Sequence, residues 1–367
     1  MTFLWQQVII CLMSNNRREK KAGVVTLVDV AIEAGVSRTT AAKVLLGTGG
    51  DHVRIGDDAR ERVKKAALEL QYRPNRAAQR LAGGHTQTLG VLMDTVNAPV
   101  MNDRLAALEK EASRRGYRLL IGQLHGNTEV LSDYLADFDS RGVDAIFFLF
   151  DVTRGRADRL KPIIGNRCDI VLHGKPMGDN GYCVKVDTAK AVASLVKHLQ
   201  ECGCHRIGLQ LENMNDELIE AREVAYTEAL KKSGTPLISS LIWTAQHTAV
   251  NPTPETIDNA IEQLVVDAEA EAIIASNDIW AVRLIQGLKA RGYRVPGDVA
   301  VTGYDNLDLA TIIDPALTTI DQQHPQYAKT AIDMLIAIAS TNGSNPLPPK
   351  TVTIDPLLIT RASSSPS

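Results

Sequence analysis

The chain has little of what would tie it to several large classes of protein. Five cysteines in 367 residues are too few for a disulfide framework and fit a reducing, cytoplasmic setting, associated with the nucleoid if the chain binds DNA. No apolar run reaches the ~20 residues that a membrane-spanning helix needs. The apolar opening, MTFLWQQVIICLM, has its basic residues Arg17, Arg18, Lys20 and Lys21 behind it instead of in front, and no small-residue cleavage site follows, so it does not read as a secretory signal. Residues 1–24 are expected to form a disordered extension, with Met13 an alternative start. There is no G-x-S-x-G elbow, no Walker-type phosphate loop and no G-x-G-x-x-G fingerprint, which argues against an enzyme. The cluster of Cys202, Cys204 and His205 lacks a second ligand pair at zinc spacing, so neither a metal nor a cofactor is expected.

Charge is present but unevenly spread. Residues 1–84 hold 14 Lys and Arg against 8 Asp and Glu, a net of +6, whereas residues 85–367 hold 26 against 35, a net of −9. A basic head on an acidic body is how a nucleic-acid-binding head looks, although a solvated basic face has the same charge.

Residues 26–84 follow a helical pattern. Leu27, Val30, Ala31 and Ala34 share one face of a helix that Thr26 can cap, with Asp29 in the capping-box slot. Gly35 ends it, Ser37 caps a second helix, and Val36 and Val44 lock the pair together. A third helix is predicted over residues 57–71, where Val63, Ala66, Ala67 and Leu70 recur at helical spacing; Gly56 has no side chain to cap it, although Asp57 could take over the cap. The stretch DVAIEAGVSRTTAAKVLL is therefore either a DNA-reading helix-turn-helix or a hairpin packing its own core. It leaves Arg38, Thr39 and Lys43 outward near the start of the second helix, where a recognition helix touches base edges, and an arginine there can bond guanine O6 and N7. Next comes YRPNRAAQRLAGG, with helix-stopping Pro74, then Arg76, Gln79, Arg80 and one apolar Leu81. It is too short to stay helical alone in water. Either it is an ordinary linker, or it orders on DNA and wedges into the minor groove.

From Thr88 onward, apolar strands alternate with amphipathic helices: TLGVLM, YRLLI, DAIFFLF, DIVLH, RIGLQL, EAIIA and DVAVTGY, with a last strand in TVTIDPLLI. That alternation is the signature of doubly wound parallel sheets. The strands outnumber one small sheet, so two such subdomains are expected side by side, with a ligand cleft outside the strands' carboxyl ends.

The order VTLVDVAIEAGVS, LQYRPNRAAQRLAGG, SNDIWA, VPGDVAVTGYDN and PALTTIDQ closely resembles the lactose-repressor and galactose-repressor (LacI/GalR) family of bacterial transcription regulators. The resemblance covers nearly all of the chain beyond Val25. It implies a small all-α helix-turn-helix head with a hinge helix, followed by an α/β periplasmic-binding-protein-like body of two doubly wound parallel-sheet subdomains. The expected boundaries are 25–72 for the head, 73–84 for the hinge, 85–360 for the effector-binding and dimerisation body, and 361–367 for a disordered tail. It further implies a repressor acting as a homodimer on near-palindromic double-stranded operator DNA, with no membrane partner and a small-molecule effector, a carbohydrate by analogy, between the lobes. The DNA contacts it implies are Ser37, Arg38, Thr39, Thr40 and Lys43, then Asn75, Arg76, Ala78, Gln79 and the leucine wedge Leu81. Arg222 in EAREVAY matches the family's effector-binding arginine and Asp278 in SND its effector-binding aspartate. Asp94, Asn97, His173 and Trp243 are further expected lining positions, Trp243 as a face for a sugar ring. The chain departs from the family at Ala41, Ala42 and Leu46, where a valine, a serine and an asparagine are usual, and NAPVMNDRL lacks the family's aromatic residues.

Overall fold

Thr26 and Asp29 begin the head by capping each other. In the computed structural model the Thr26 hydroxyl accepts the Asp29 N–H at 3.4 Å, and the Asp29 carboxylate accepts the Thr26 N–H at 2.9 Å. The structure describes residues 25–46, 55–72, 85–94, 99–150, 160–164, 167–177, 181–212, 217–245, 252–341, 348 and 350–365. The expected extension at 1–24 and hinge at 73–84 lie outside these.

Helix α1 (Leu27–Glu33) ends at Gly35, whose φ of +62° is a left-handed conformation that a Cβ would resist. Ser37 then accepts the Thr40 N–H at 3.1 Å and starts α2 (Arg38–Leu46). From α3 (Asp57–Glu69), Arg62 donates to the Ala34 carbonyl at 3.0 Å and satisfies an orphan group at the end of α1. Val30, Ala31, Ala34, Ala41, Val63 and Ala66 form the core of this small bundle. One expectation fails here: Gly56 is the N-cap of α3 without a side-chain bond, and Asp57 lies inside the helix. An aspartate one residue too late cannot reach the N2 and N3 amides as a cap, though Asp57 and Asp58 still favour the positive end of the helix.

The body, from Gln87, is a separate compact unit. Strands β1 (Thr88–Met93), β2 (Arg118–Gln123), β3 (Ala145–Leu149), β4 (Ile170–His173) and β5 (Tyr182–Val186) pair in parallel. Helices α4 (Pro99–Arg114) and α5 (Leu131–Arg141) cover opposite faces. Strands such as β3 are buried along their whole length, so they read as continuous apolar runs. The chain then crosses at Asp187, which caps α6 (Thr188–Glu201) by accepting the Lys190 N–H at 2.9 Å. A second sheet follows, of β6 (Ile207–Leu211), β7 (Ile242–Thr244), β8 (Ala272–Ile274) and β9 (Ala300–Thr302), in the order β7-β6-β8-β9. It is packed by α6 and α7 (Glu217–Ser233) on one face and by α8 (Pro254–Ile261) and α9 (Asp278–Ala290) on the other. Each fully buried Leu, Ile or Phe in these layers is worth about 1.5–3 kcal/mol.

After α10 (Leu309–Ile312) and β10 (Thr319–Asp321) the chain returns to the first lobe as α11 (His324–Ala339). There β11 (Lys350–Ile354) completes a sheet of order β11-β5-β4-β3-β1-β2, and β12 (Leu357–Ile359) goes back to pair antiparallel with β10. The single strand expected in TVTIDPLLI is thus two, one in each lobe, parted at Asp355-Pro356. The disordered tail expected at 361–367 is also corrected for residues 361–365; 366–367 lie outside the described residues. Ser363 and Ser364 are buried, Ser363 donating its N–H to the Ala316 carbonyl and its hydroxyl to that of Val301 at 2.6 Å. Short serine side chains next to the end of β9 can stitch backbone without needing apolar burial.

Candidate functional site

In the second lobe the strand order reverses between β6 and β8, the kind of switch point outside which ligands bind in open α/β sheets. Glu212 follows β6, Ser276 and Asn277 follow β8, and Tyr304 and Asp305 follow β9. Glu212 accepts the Ser276 hydroxyl at 3.0 Å and the Asn277 amide at 2.5 Å. Gln210 accepts the Ser276 N–H at 2.9 Å, and Asn277 caps α9 by accepting the Trp280 N–H at 3.0 Å. Across this arch α7 lays Arg222, 9% exposed, with its guanidinium carbon 4.3 Å from the Tyr304 ring centroid. Arg222 donates one Nη to the Ser276 carbonyl, and its buried Nε has no partner.

The first lobe reverses between β1 and β3. Asp94 follows β1 and accepts the Gly126 N–H at 2.6 Å, while His173 ends β4. Arg104 rises from the buried face of α4 and is only 2% exposed. Its Nη1 lies 3.0 Å from His173 Nε2. A guanidinium can only donate, so Nε2 must be bare and Nδ1 must carry the hydrogen. That N–H then donates to the Tyr327 hydroxyl at 2.6 Å, which donates to the Val184 carbonyl at 3.2 Å. Burial, and secondarily the Arg104 charge, hold the His173 pKa well below the imidazole range, consistent with this neutral tautomer.

Gln322 links the two lobes. Gln322, in the second chain crossing, accepts from Arg104 Nη2 and donates its amide to Asp305 at 2.5 Å. Burial pushes the Asp305 carboxyl up to about 7, with Arg222, Gln322 and Arg104 pulling it down. His324, which opens α11, has neither ring nitrogen bonded, and burial followed by the Arg104 charge lowers it to about 4.

Of the residues expected to line the cleft, Asp94 and His173 stand on the first-lobe side and Arg222 on the second; Asn97 lies outside the described residues. Asp278 is corrected. It is wholly buried, with Oδ1 accepting the Thr319 hydroxyl at 2.5 Å and Oδ2 the Leu307 N–H at 2.8 Å. A Cβ on Gly303 would overlap Oδ1, so this carboxyl props the strand ends and does not face a ligand. Trp243 is corrected too. Its ring packs 5.8 Å from that of Trp280 within the core under α8 and α9, leaving no free face for a sugar. Arg104, Gln322, Glu212 and Asp305 were missed. Glu212 and Asp305 could have been found from their place just past apolar strands, and Arg104 from being an arginine in the stripe Met101, Arg104, Leu108 and Ala112.

On the head, Arg38 and Thr39 are exposed and Lys43 is half-buried, on one short helix with no acidic residue in its first turn. Thr40 pairs its hydroxyl with that of Ser37 at 2.9 Å. Ala41 is a core residue, which accounts for an apolar side chain there. Asn75, Arg76, Ala78, Gln79 and Leu81 lie outside the described residues. Cys202, Cys204 and His205 form the turn between α6 and β6, where Glu271 accepts the N–H groups of His205 and Arg206 at 2.5 and 2.9 Å. Among the described residues no helix is long and apolar enough to cross a membrane.

Comparison with known proteins gives two family matches. Residues 26–75 match the profile of bacterial regulatory proteins of the lacI family, and residues 196–364 that of periplasmic binding protein-like domains. Among relatives, the HTH-type transcriptional repressor PurR of Erwinia tasmaniensis is 29% identical over 343 residues, covering 92% of this chain and 96% of that one. Catabolite control protein A of Priestia megaterium is 28% identical over 313 residues, 84% and 90% of the two chains. The lac repressor dimer bound to operator and the anti-inducer ONPF shares the fold, with a TM-score of 0.74 at 20% identity over 94% of this chain and all of that one. The transcriptional regulator CelR in complex with cellobiose has a TM-score of 0.62 at 25% identity over 92% and 99%.

Proposed function

The chain belongs to the LacI family of bacterial regulatory proteins, and on that premise we propose which of its surfaces meet operator DNA and which meet the effector. It is a sequence-specific DNA-binding transcription regulator, not an enzyme, whose operator affinity answers to a small molecule. The observation that carries this is the order of parts: a helix-turn-helix head precedes a two-lobed binding body along one chain.

The protein acts in the cytoplasm as a homodimeric repressor, on a near-palindromic operator. Arg38 and Thr39 read base edges from the start of α2, Lys43 meets a base or phosphate, and Ser37 and Thr40 set the helix on the backbone. The segment at 73–84 supplies Asn75, Arg76, Ala78 and Gln79, with Leu81 as a minor-groove wedge. In the body, Arg222, Asp94, Asn97 and His173 take the effector, a carbohydrate or a derivative of one; the similar regulator CelR is seen in complex with cellobiose. Binding between the lobes changes their angle and so the operator affinity.

Footprinting on the DNA upstream of the gene tests the reading: the full chain should protect a palindromic site. Arg38→Ala should relax base preference at one position per half-site by about 1–3 kcal/mol, the worth of a bidentate guanine contact. Binding with no sequence preference would refute the assignment.

A further inference from the structure

Arg104 and Arg222 share an arrangement that a protein seldom tolerates. Both guanidiniums are buried, at 2% and 9% exposure. Among the described residues no carboxylate oxygen lies within 4.0 Å of either, and each has a buried Nε–H with no acceptor. Two other partly buried arginines of the body do have carboxylate partners. Arg167 is paired with Asp139 and Asp169, and Arg291 with Asp258 and Glu262, all nearer the surface, where pairing matters less.

A permanent charge taken out of water without a counter-ion costs far more than a lost hydrogen bond, and arginine cannot escape by losing its proton. The two groups also belong to one locality: both act on Asp305 and on Tyr304, Arg222 by lying on the Tyr304 ring and Arg104 through Gln322. Asp305 is the acid that both charges pull down. Asp305 is bonded by Gln322 instead of either arginine, and burial favours its neutral form. Burial first, and the Arg104 charge second, keep His173 and His324 neutral, so neither adds a second positive charge beside it.

We infer that the effector of this cleft carries a carboxylate or phosphate group, with Arg104 and Arg222 donating to it from opposite lobes and Arg104 determining the preference for anion over neutral sugar. The inference rests on the reading of the cleft as the effector site. A sugar acid and a sugar phosphate satisfy it equally, because a guanidinium N–H meets the same kind of oxygen in both.

The test uses the full chain and matched trios: glucose, gluconate and glucose 6-phosphate, then galactose, galactonate and galactose 6-phosphate, with inorganic phosphate as the bare anion. Thermal shift and titration calorimetry should show binding of at least one acid or phosphate at least tenfold tighter than its neutral parent. Comparison of the aldonate with the phosphate ester identifies which anion the site takes. Arg104→Met should erase that preference, whereas Arg104→Lys, which keeps the charge, should retain part of it. Wild-type data alone decide the matter if Arg104→Met does not fold. A neutral sugar binding as tightly as its acid overturns the inference, as does equal weakening of both by Arg104→Met, or no response to any anion at 10 mM. Operator gel shifts run alongside separate the two failures. Release of DNA by a neutral sugar keeps the effector reading and sinks only the anion, whereas operator binding indifferent to every small molecule sinks both.

Discussion

Replacing Asp278 by Asn should make the body more stable above neutral pH. In the folded chain the Asp278 carboxyl is wholly buried, and burial, then repulsion from Asp305, raises it to about 8; bonds from Thr319 and Leu307 pull the other way. The unfolded chain ionises near 4. Between these values the folded state holds a proton that the unfolded state has released, so stability is full below about pH 4 and falls as pH rises, levelling off only above about 8. Each pH unit is worth about 1.4 kcal/mol per proton, so the stretch from pH 5 to pH 8 costs up to about 4 kcal/mol through this one group. Asparagine is neutral at every pH: its carbonyl can accept the Leu307 N–H, and its amide can donate to the Thr319 oxygen once that hydroxyl, which donates to Oδ1 of Asp278, turns away. At pH 5 the variant should therefore match the wild type to within about 1 kcal/mol, the scale of one hydrogen bond. By pH 8 it should be ahead by several degrees in melting temperature, at about 2–4 °C per kcal/mol for a unit of this size. Calorimetry of both proteins from pH 5 to 8.5 measures this. Parallel curves would show that Asp278 is ionised throughout and that its role is electrostatic toward a ligand after all.

Tyr327→Phe removes the acceptor of His173 Nδ1–H and the donor to the Val184 carbonyl, and a buried unsatisfied group costs about 1–3 kcal/mol. The body's melting temperature should drop by about 3–8 °C, and an unchanged value would show that the Tyr327 hydroxyl does not help hold α11 to the first sheet. Arg62→Ala leaves the Ala34 carbonyl without its 3.0 Å donor, a loss of about 1 kcal/mol. Hydrogen exchange of the peptide spanning 27–36 should then quicken about fivefold, and unaltered exchange would mean that the arginine does not hold the end of α1.

The parts legible in the sequence are those whose cause is local. The Thr26–Asp29 box, Gly35 and Ser37 place α1 and α2 because each acts over three or four residues. Strands such as β3 and β6 are buried on both faces and so read as apolar runs. The three-residue strands β7 and β10 are held by distant partners and carry too few residues to show a period. TVTIDPLLI looks like one strand because nothing local reveals that β11 pairs with β5 while β12 pairs with β10. The site divides the same way. Arg222 and His173 follow from motif and strand-end position, whereas Trp243 misled because an aromatic at a strand looks alike whether it faces a cleft or Trp280. Arg104 hid in an amphipathic helix, since its meaning depends on His173 and Gln322, which lie 69 and 218 residues away.

Gln322 also bears on how a small ligand can move two lobes. The chain passes between them at Asp187, at residues 322–323 and at 355–356, and the crossings alone leave the angle free to vary. Gln322 adds a constraint because its amide is held at one end by Arg104 of the first lobe and at the other by Asp305 of the second. Any ligand group that takes over a bond from Arg104 or Asp305 must loosen that bridge, and any rotation that parts the lobes must break it. A hydrogen bond to a charged group is worth about 1.5–3 kcal/mol, and allosteric coupling commonly amounts to about 1–3 kcal/mol. One such bond, exchanged between protein and ligand, is therefore enough to set the response. On the proposed effector reading it requires no long chain of intermediates, because a ligand at Arg104 or Asp305 would compete with the constraint on the lobe angle for the same side chains.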